Sequence, residues 1–360
     1  MRTINGRAEY WSDAFKTNTP FRSAFARART FMRFGILLLL AIVIRSTPAQ
    51  GADLDQARKE GEAVLYTTMV VSDFQIFQKA LAKKYPFFRV NHVRLGGAAQ
   101  ASRAIAEHRA GTNLADVFGL SPDSMNYLRD QGILASYYSP EAKFHRQGFV
   151  DLKGYWSGIT TDLLLTGVNA TQMSLDKAPR NYMDYLGPEY RGKMALHMGT
   201  DNPLIGMMEM LGEEKGLAYM RHLAKQSPIL HNGYTKLTQL LAAGEFPLVA
   251  FTQVTKLEKM REKGAPIDWL ATNPCFATVS SVAIAKNAPH PAAARLLVDF
   301  YLSEEGQKAI REMDKIPLRR GIDPDSKRIS ELLDKRLHVI KYEGDASRNI
   351  RLFNEIFLGR

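Results

Sequence analysis

The sequence predicts an α/β protein of two hinged units, and three observations lead there. Short apolar runs alternate with amphipathic helical patterns along the chain beyond residue 52, the layering of helices packed on sheets. The first of these runs form a βαβαβ series whose loops fall at the carboxyl ends of its strands. About 308 residues follow the leader segment, enough for two compact cores. An apolar content of 45% with 24% charged residues excludes a disordered chain. No solenoid period and no low-complexity linker interrupts it.

Taken in order, Glu62–Thr67 (EAVLYT) reads as a first strand. Ser72 and Gln75 have capping-box spacing, and Phe74, Phe77, Leu81 and Tyr85 line one face of the helix that follows. Phe88–Leu95 is a second strand, turned by Gly96-Gly97 into a helix from about Ala98. Ala115–Gly119 is a third strand, and Gly119-Leu120-Ser121-Pro122 opens another helix. A second unit runs from about Gly158 to Leu270. It contains the strand Lys193–His197, a helix after Asn202-Pro203, and the strand Leu248–Phe251 before Thr252-Gln253. Thr278–Ala285 is a strand returning to the first sheet. After it, Ala293, Leu296, Leu297, Phe300 and Tyr301 form one apolar helical stripe, with Pro291 suited to the first turn. The boundaries are therefore 53–155 with 274–325 for one lobe, 156–273 for the other, and C-terminal helices over 326–360. Ile350, Phe353, Ile356 and Phe357 dock those helices.

Residues 1–52 read as a leader. Met32-Arg33 precedes an apolar run from Phe34 to Ile44, followed by Ser46-Thr47-Pro48-Ala49-Gln50-Gly51-Ala52. A basic start, an apolar core and small residues at the cut define a secretory signal peptide, here spanning 32–51, with cleavage before Ala52 or nearby. The run is shorter than the roughly 20 residues a spanning helix needs; an uncleaved anchor is the alternative. Either Met1 or Met32 is the initiator. No lipobox cysteine is present.

Of 48 basic and 37 acidic side chains, residues 1–52 hold 8 basic and 2 acidic, which leaves the remainder at 40 against 35, a net +5 scattered along the chain. Without basic clusters beside aromatic or groove-reading motifs, nucleic acid is excluded as a partner. The single cysteine, Cys275, forms no internal disulfide and reads as a small buried residue.

The run AIAKNAPHPAAARLLVDFYLSEEGQ (283–307) closely resembles the return segment of bacterial extracellular solute-binding proteins, in the group containing the ferric-iron binders. The segments ARKEGEAVLYTT, FQKALAKKYPFFRV, RAGTNLADVF, LGPEYRGKMAL and LLAAGEFPLVAF stand in that family's usual order. The resemblance covers nearly all of the chain beyond the leader. It implies a type 2 periplasmic-binding-protein fold, two mixed sheets flanked by helices and joined by a hinge, with a small-molecule solute between the lobes. It further implies a monomer in the periplasm, serving an ABC permease and its ATPase in the inner membrane. The family's iron binders carry adjacent tyrosines after the strand following Gly-Glu; here Val254-Thr255 occupies that place, so the usual ferric site is absent.

In open α/β sheets ligands sit beyond the carboxyl ends of the strands, where helix N-termini favour anions. The candidate ligand-binding residues are therefore Thr67, Thr68, Gly97, Ala98, Ser121, Thr200, Asp201, Asn202, Thr252 and Gln253, with Tyr234 in a sixth, weaker loop. Turn chemistry and helix capping use the same residue types and are the alternative at each. These loops suit a polar or anionic solute, or an amine at Asp201.

No catalytic residue, cofactor or metal ligand is assigned. Gly187-Pro-Glu-Tyr-Arg-Gly-Lys193 mimics a phosphate loop, but Met194 replaces the Mg²⁺-holding hydroxyl. His92, His197 and His231 lack metal spacing, Met207, Met208 and Met210 read as core, and Tyr137-Tyr138 as packing. An Fe(III) site of non-standard ligands, or an enzyme or ligand sensor on the same scaffold, are the alternatives.

Overall fold

The computed structural model describes residues 51–198, 200–335, 337–342 and 346–359; the signal peptide read at 32–51 lies outside them except for Gly51. In chain order the first elements are α1 (Leu54–Glu60), β1 (Glu62–Thr67), α2 (Val71–Lys84), β2 (Arg89–Arg94), α3 (Gly97–Arg109), β3 (Val117–Leu120), α4 (Pro122–Asp130) and β4 (Leu134–Ala135). There follow β5 (Ser157–Asn169), β6 (Met194–His197), α5 (Asn202–Leu211), α6 (Glu213–Lys225), β7 (Ile229–His231), α7 (Tyr234–Ala243), β8 (Leu248–Gln253), α8 (Val254–Glu262) and β9 (Ile267–Leu270). The chain ends with β10 (Cys275–Ala285), α9 (Pro291–Leu302), α10 (Glu304–Glu312), β11 (Ile316–Pro317), α11 (Lys327–Leu333), β12 (Leu337–Val339) and α12 (Ala346–Leu358).

The strands join in the order β2-β1-β3-β10-β5-β8-β6-β7. β1 pairs in parallel with β2 and β3, and β6 in parallel with β7 and β8. Between these two parallel groups lie β10 and β5, antiparallel to each other from Phe276↔Leu164 to Val282↔Ser157. β10 is antiparallel to β3, and β5 to β8. Two long strands thus join the two parallel groups, so that the two expected mixed sheets form one continuous 12-stranded sheet among the described residues.

The predicted stripe on α9 is realised: Ala293, Leu296, Leu297, Phe300 and Tyr301 are all buried, against Phe74, Phe77 and Leu81 of α2. Phe77 stacks on Tyr301 with ring centroids 4.0 Å apart. Phe300→Ala there costs about 3–5 kcal/mol. The other half is held by Tyr182, Tyr185, Phe251 and Phe276; the Tyr182 and Phe276 rings stack at 4.5 Å.

Local details depart from the sequence reading. The capping box at Ser72 and Gln75 does not form: α2 starts one residue before Ser72, with Val70 at the N-cap and no side-chain cap. Packing of Phe74 and Phe77 sets the start instead. β3 begins at Val117, and the buried carboxylate of Asp116 before it accepts the backbone N–H groups of Val64 and His290, at 2.7 and 2.6 Å. Residues 326–360 are not helical throughout: β12 adds in parallel to β10, a three-residue strand too short for an alternating pattern to show. Phe353 is buried and Ile356 and Phe357 pack partly, whereas Ile350 is 52% exposed and docks nothing of that core.

Candidate functional site

Three recesses of about 320, 340 and 570 Å³ share walls along the β5–β10 pair. Thr160, Ser280 and Lys315 line the first two, Gln253, Thr278 and Ser280 the second and third, and Ser121 the first and third. They form one polar cleft beyond the strand ends. A separate surface recess of about 1010 Å³, walled by Asp176, Lys177, Arg180 and Glu189 among others, shares no lining residue with it.

The sequence positions each wall through a strand that ends at a helix. β1 and β3 deliver Thr67, Thr68 and Ser121, with Gly97 at the start of α3. At the end of β3, Gly119 is required by close approach, since a Cβ there would stand 2.7 Å from Thr67 Oγ1. Thr200, Asp201 and Asn202 open α5, and Gln253 is the N-cap of α8. The N-cap residues of the helices beginning at Gly97, Pro122, Asn202 and Val254 give no side-chain cap. Thr200 Oγ1, however, accepts the Asn202 N–H at 3.2 Å and Asp162 accepts the Thr255 N–H at 3.4 Å, so of these four only the starts at Gly97 and Pro122 lack a side-chain acceptor.

Eight of the expected residues thus line the cleft: Thr67, Thr68, Gly97, Ser121, Thr200, Asp201, Asn202 and Gln253. Three do not. Ala98 lies inside α3 and lines none of the recesses. Thr252 is 1% exposed, its hydroxyl turned into the protein. Tyr234 has its hydroxyl buried behind Thr200 and Asn202, and burial holds its proton well above the ordinary range. The Tyr234 ring stacks on His197, at 4.3 Å. The His197 Nε2 accepts the Gly233 N–H at 2.9 Å, so this histidine is neutral and structural.

Sequence reasoning missed the residues contributed by the crossing strands: Thr160, Thr161 and Asp162 of β5, Thr278, Ser280 and Ser281 of β10, and Lys315 ahead of β11. In the sequence Thr160-Thr161-Asp162 stand in a strand that also holds Ser157, Thr166 and Asn169, so no local pattern marks them. Asp123 and Tyr342 also line the 570 Å³ recess. Burial, then the Asp123 charge, pushes Asp201 up to about 6. Burial likewise pushes Asp162 up to about 6, against hydrogen bonds from Thr255 that pull it down. Lys315 forms a 2.9 Å ion pair with Asp73, which lines the same recess as Asp162.

Val254, where the resemblance places a tyrosine, is buried, and Thr255 bonds to Asp162. Among the described residues no group of three or more His, Cys, Asp or Glu is arranged to hold a metal ion. Burial pushes the Cys275 thiol up to about 12, which leaves it un-ionised and unreactive. The phosphate-loop mimic contains a 3₁₀ turn, Pro188–Tyr190, and is entered from another, Asp184–Leu186, not from a strand. Tyr137 and Tyr138 bond to Asp299 and to the Leu152 carbonyl, away from the cleft. No helix among the described residues is long and apolar enough to cross a membrane.

A family model described as bacterial extracellular solute-binding protein matches residues 112–344. An uncharacterized protein of Haemophilus influenzae is 26% identical over 270 residues, covering 70% of this chain and 76% of its own. Among solved structures, iron-bound HitA from Pseudomonas aeruginosa superposes with a TM-score of 0.71 at 22% identity, over 82% of this chain and 99% of that one. The periplasmic binding protein AfuA from Actinobacillus pleuropneumoniae, with fructose-6-phosphate bound, gives 0.65 at 22%, over 82% and 97%. Apo ferric ion-binding protein A from Pasteurella haemolytica gives 0.71 at 20%, over 82% and 98%. Likeness at this identity speaks for the fold, which is that of the type 2 periplasmic binding proteins.

Proposed function

Since this chain belongs to the bacterial extracellular solute-binding proteins, we propose that it is the periplasmic, monomeric substrate-binding component of an ABC import system. It captures a small polar or anionic solute, closes over it, and hands it to a membrane permease driven by its ATPase. Residues 53–155 with 274–325 form one lobe and 156–273 the other, with β5 and β10 as the hinge between them. The signal peptide at 32–51 delivers the chain to the periplasm.

The observation that carries the anionic preference is the convergence of two helix starts with no side-chain acceptor, at Gly97 and Pro122, on the recess lined by Gly97 and Ser121. Such N-termini bind phosphate or carboxylate through free N–H groups. Hydroxyls of Thr67, Thr68, Ser121 and Ser280 supply neutral hydrogen bonds beside them. Asp123 and Asp201 give the far recess an acidic wall, suited to an amine or hydroxyl edge of the same solute. Membership in the solute-binding family supports binding without turnover as the expected behaviour.

A second reading, Fe(III) held by non-standard oxygen ligands, draws on Tyr342, Asp123 and Asp201 sharing one recess. Titration calorimetry on the exported protein separates the two, using inorganic phosphate, a sugar phosphate, an alkylphosphonate, citrate, putrescine and ferric citrate. One equivalent of an anionic organic solute bound and recovered unchanged supports the first reading. Binding of ferric citrate but not citrate, with a visible tyrosinate absorption, supports the second, and conversion of a bound solute overturns both.

A further inference from the structure

Asp299, within α9, holds its carboxylate in a half-buried seam beside Ala52. It accepts hydrogen bonds from the Tyr137 hydroxyl at 2.8 Å, the Ser139 hydroxyl at 2.6 Å and the backbone N–H of Ala52 at 3.0 Å. All three donors are neutral. Arg295 sits over the Tyr137 ring, 5.9 Å from its centroid. Glu141 adds a like charge and is itself held by Arg319 at 2.6 Å. No ion pair among the described residues includes Asp299. A buried carboxylate served only by neutral donors is incompletely compensated, and burial raises its pKa.

Ala52 and Asp53 are themselves held in the fold. The Ala52 methyl packs on the cluster around Phe77 and Phe300. Asp53 caps α1 by accepting from the N–H groups of Asp55 and Gln56, both at 3.1 Å. Ala49 and Gly51 supply the small residues a signal peptidase requires on the leaving side of the Gly51–Ala52 bond. Hydrolysis of that bond adds one water, leaves Gly51 as a carboxylate, and converts the Ala52 nitrogen from a peptide N–H into an amine that takes up a proton.

We propose that the leader is cut between Gly51 and Ala52 and that the new α-ammonium docks on Asp299, so that processing completes an ion pair the uncut chain lacks. This rests on the export reading given above. The pair turns a neutral hydrogen bond into a charge-assisted one and ties the mature N-terminus to α9.

Two measurements test it. The full chain is expressed with its leader in a Gram-negative host, and the periplasmic product is analysed by intact mass. A chain starting at Ala52 is expected; a cut at any other bond overturns the inference while export stands, and failure to appear in the periplasm at all overturns the export reading with it. Asp299→Asn, which keeps hydrogen-bonding capacity but not charge, is then melted in the processed chain and in the full chain with its leader attached. The processed form is expected to lose about 2–4 °C more than the uncut form. Equal losses in the two forms mean that the α-ammonium does not pair with Asp299, and the inference falls.

Discussion

Thr255, in the first turn of α8, donates both its hydroxyl and its backbone N–H to the carboxylate of Asp162 on β5, the N–H at 3.4 Å. The position that resemblance would give to a metal-binding tyrosine is therefore engaged in fastening a cleft helix to a crossing strand. Asp162 also accepts the N–H of Leu163 at 2.9 Å, so its lone pairs are largely committed inside the protein. Both residues line the cleft, but their geometry is that of support.

Thr255→Val keeps the shape and removes the hydroxyl donor, and is expected to destabilise by about 1.5–3 kcal/mol at pH 7. Asp162 titrates near 6 in the folded chain, above its ordinary 3.8. The variant's deficit should be largest above pH 6, where the carboxylate is ionised, and shrink below pH 5. Thermal melts across that range measure it; a variant that melts like the parent at pH 7 removes the supporting role.

Asp201 is also raised to about 6, by burial and then by Asp123. A carboxyl whose folded pKa exceeds its unfolded value stabilises fully below about 3.8, and that contribution is lost as pH rises through about 6. Asp201→Asn should therefore be more stable than the parent at pH 7, by about 1–2 kcal/mol, with the gap closing by pH 4. A gap that widens on acidification contradicts this sign.

Glu258 behaves oppositely. Burial alone would raise it, but Arg261, Ser326 and Trp269 all donate to it and together hold it down at about 2. The Arg261 bonds are 2.8 and 3.0 Å and the Trp269 Nε1 bond 2.7 Å. Its stabilisation is present above the ordinary 4.5 and lost as pH falls toward 2. Glu258→Gln should cost about 1.5–3 kcal/mol at pH 7, and the cost should vanish on acid titration followed by circular dichroism.

Removing one hydroxyl from the cleft tests the site itself. Ser121→Ala and Ser280→Ala should each weaken solute affinity roughly tenfold, about 1–1.5 kcal/mol per lost hydrogen bond, with melting temperatures of the free protein little changed. Ala98 substituted by Ser, outside the cleft walls, should leave affinity unaltered. Calorimetric titration reads all three, and an unchanged affinity in both serine variants would remove the proposed cleft from consideration.

How much was legible beforehand follows from where the signals live. The α9 stripe, the βαβαβ start and the loops at Thr67, Gly97, Ser121, Asp201 and Gln253 depend on periodicity and turn residues, which are local. Thr160, Ser280 and Lys315 carry no local signal of function: a polar residue in a strand reads as a solvated face until the facing strand is known. Ala98, Thr252 and Tyr234 fell away for the converse reason. Each sits in a correctly identified loop or beside one, but helix phase and strand pleat turn its side chain from the cleft.

The amino-acid order by itself determined the element types, the apolar faces and the family pattern, because side-chain periods of two and 3.6 residues are properties of the chain alone. Only the tertiary structure decided which polar groups share the cleft and what each carboxylate meets. Asp162 and Thr255 lie 93 residues apart, and Ala52 and Asp299 lie 247 apart. Desolvation and hydrogen bonding act over a few ångströms of space, and no spacing along the sequence records such distances.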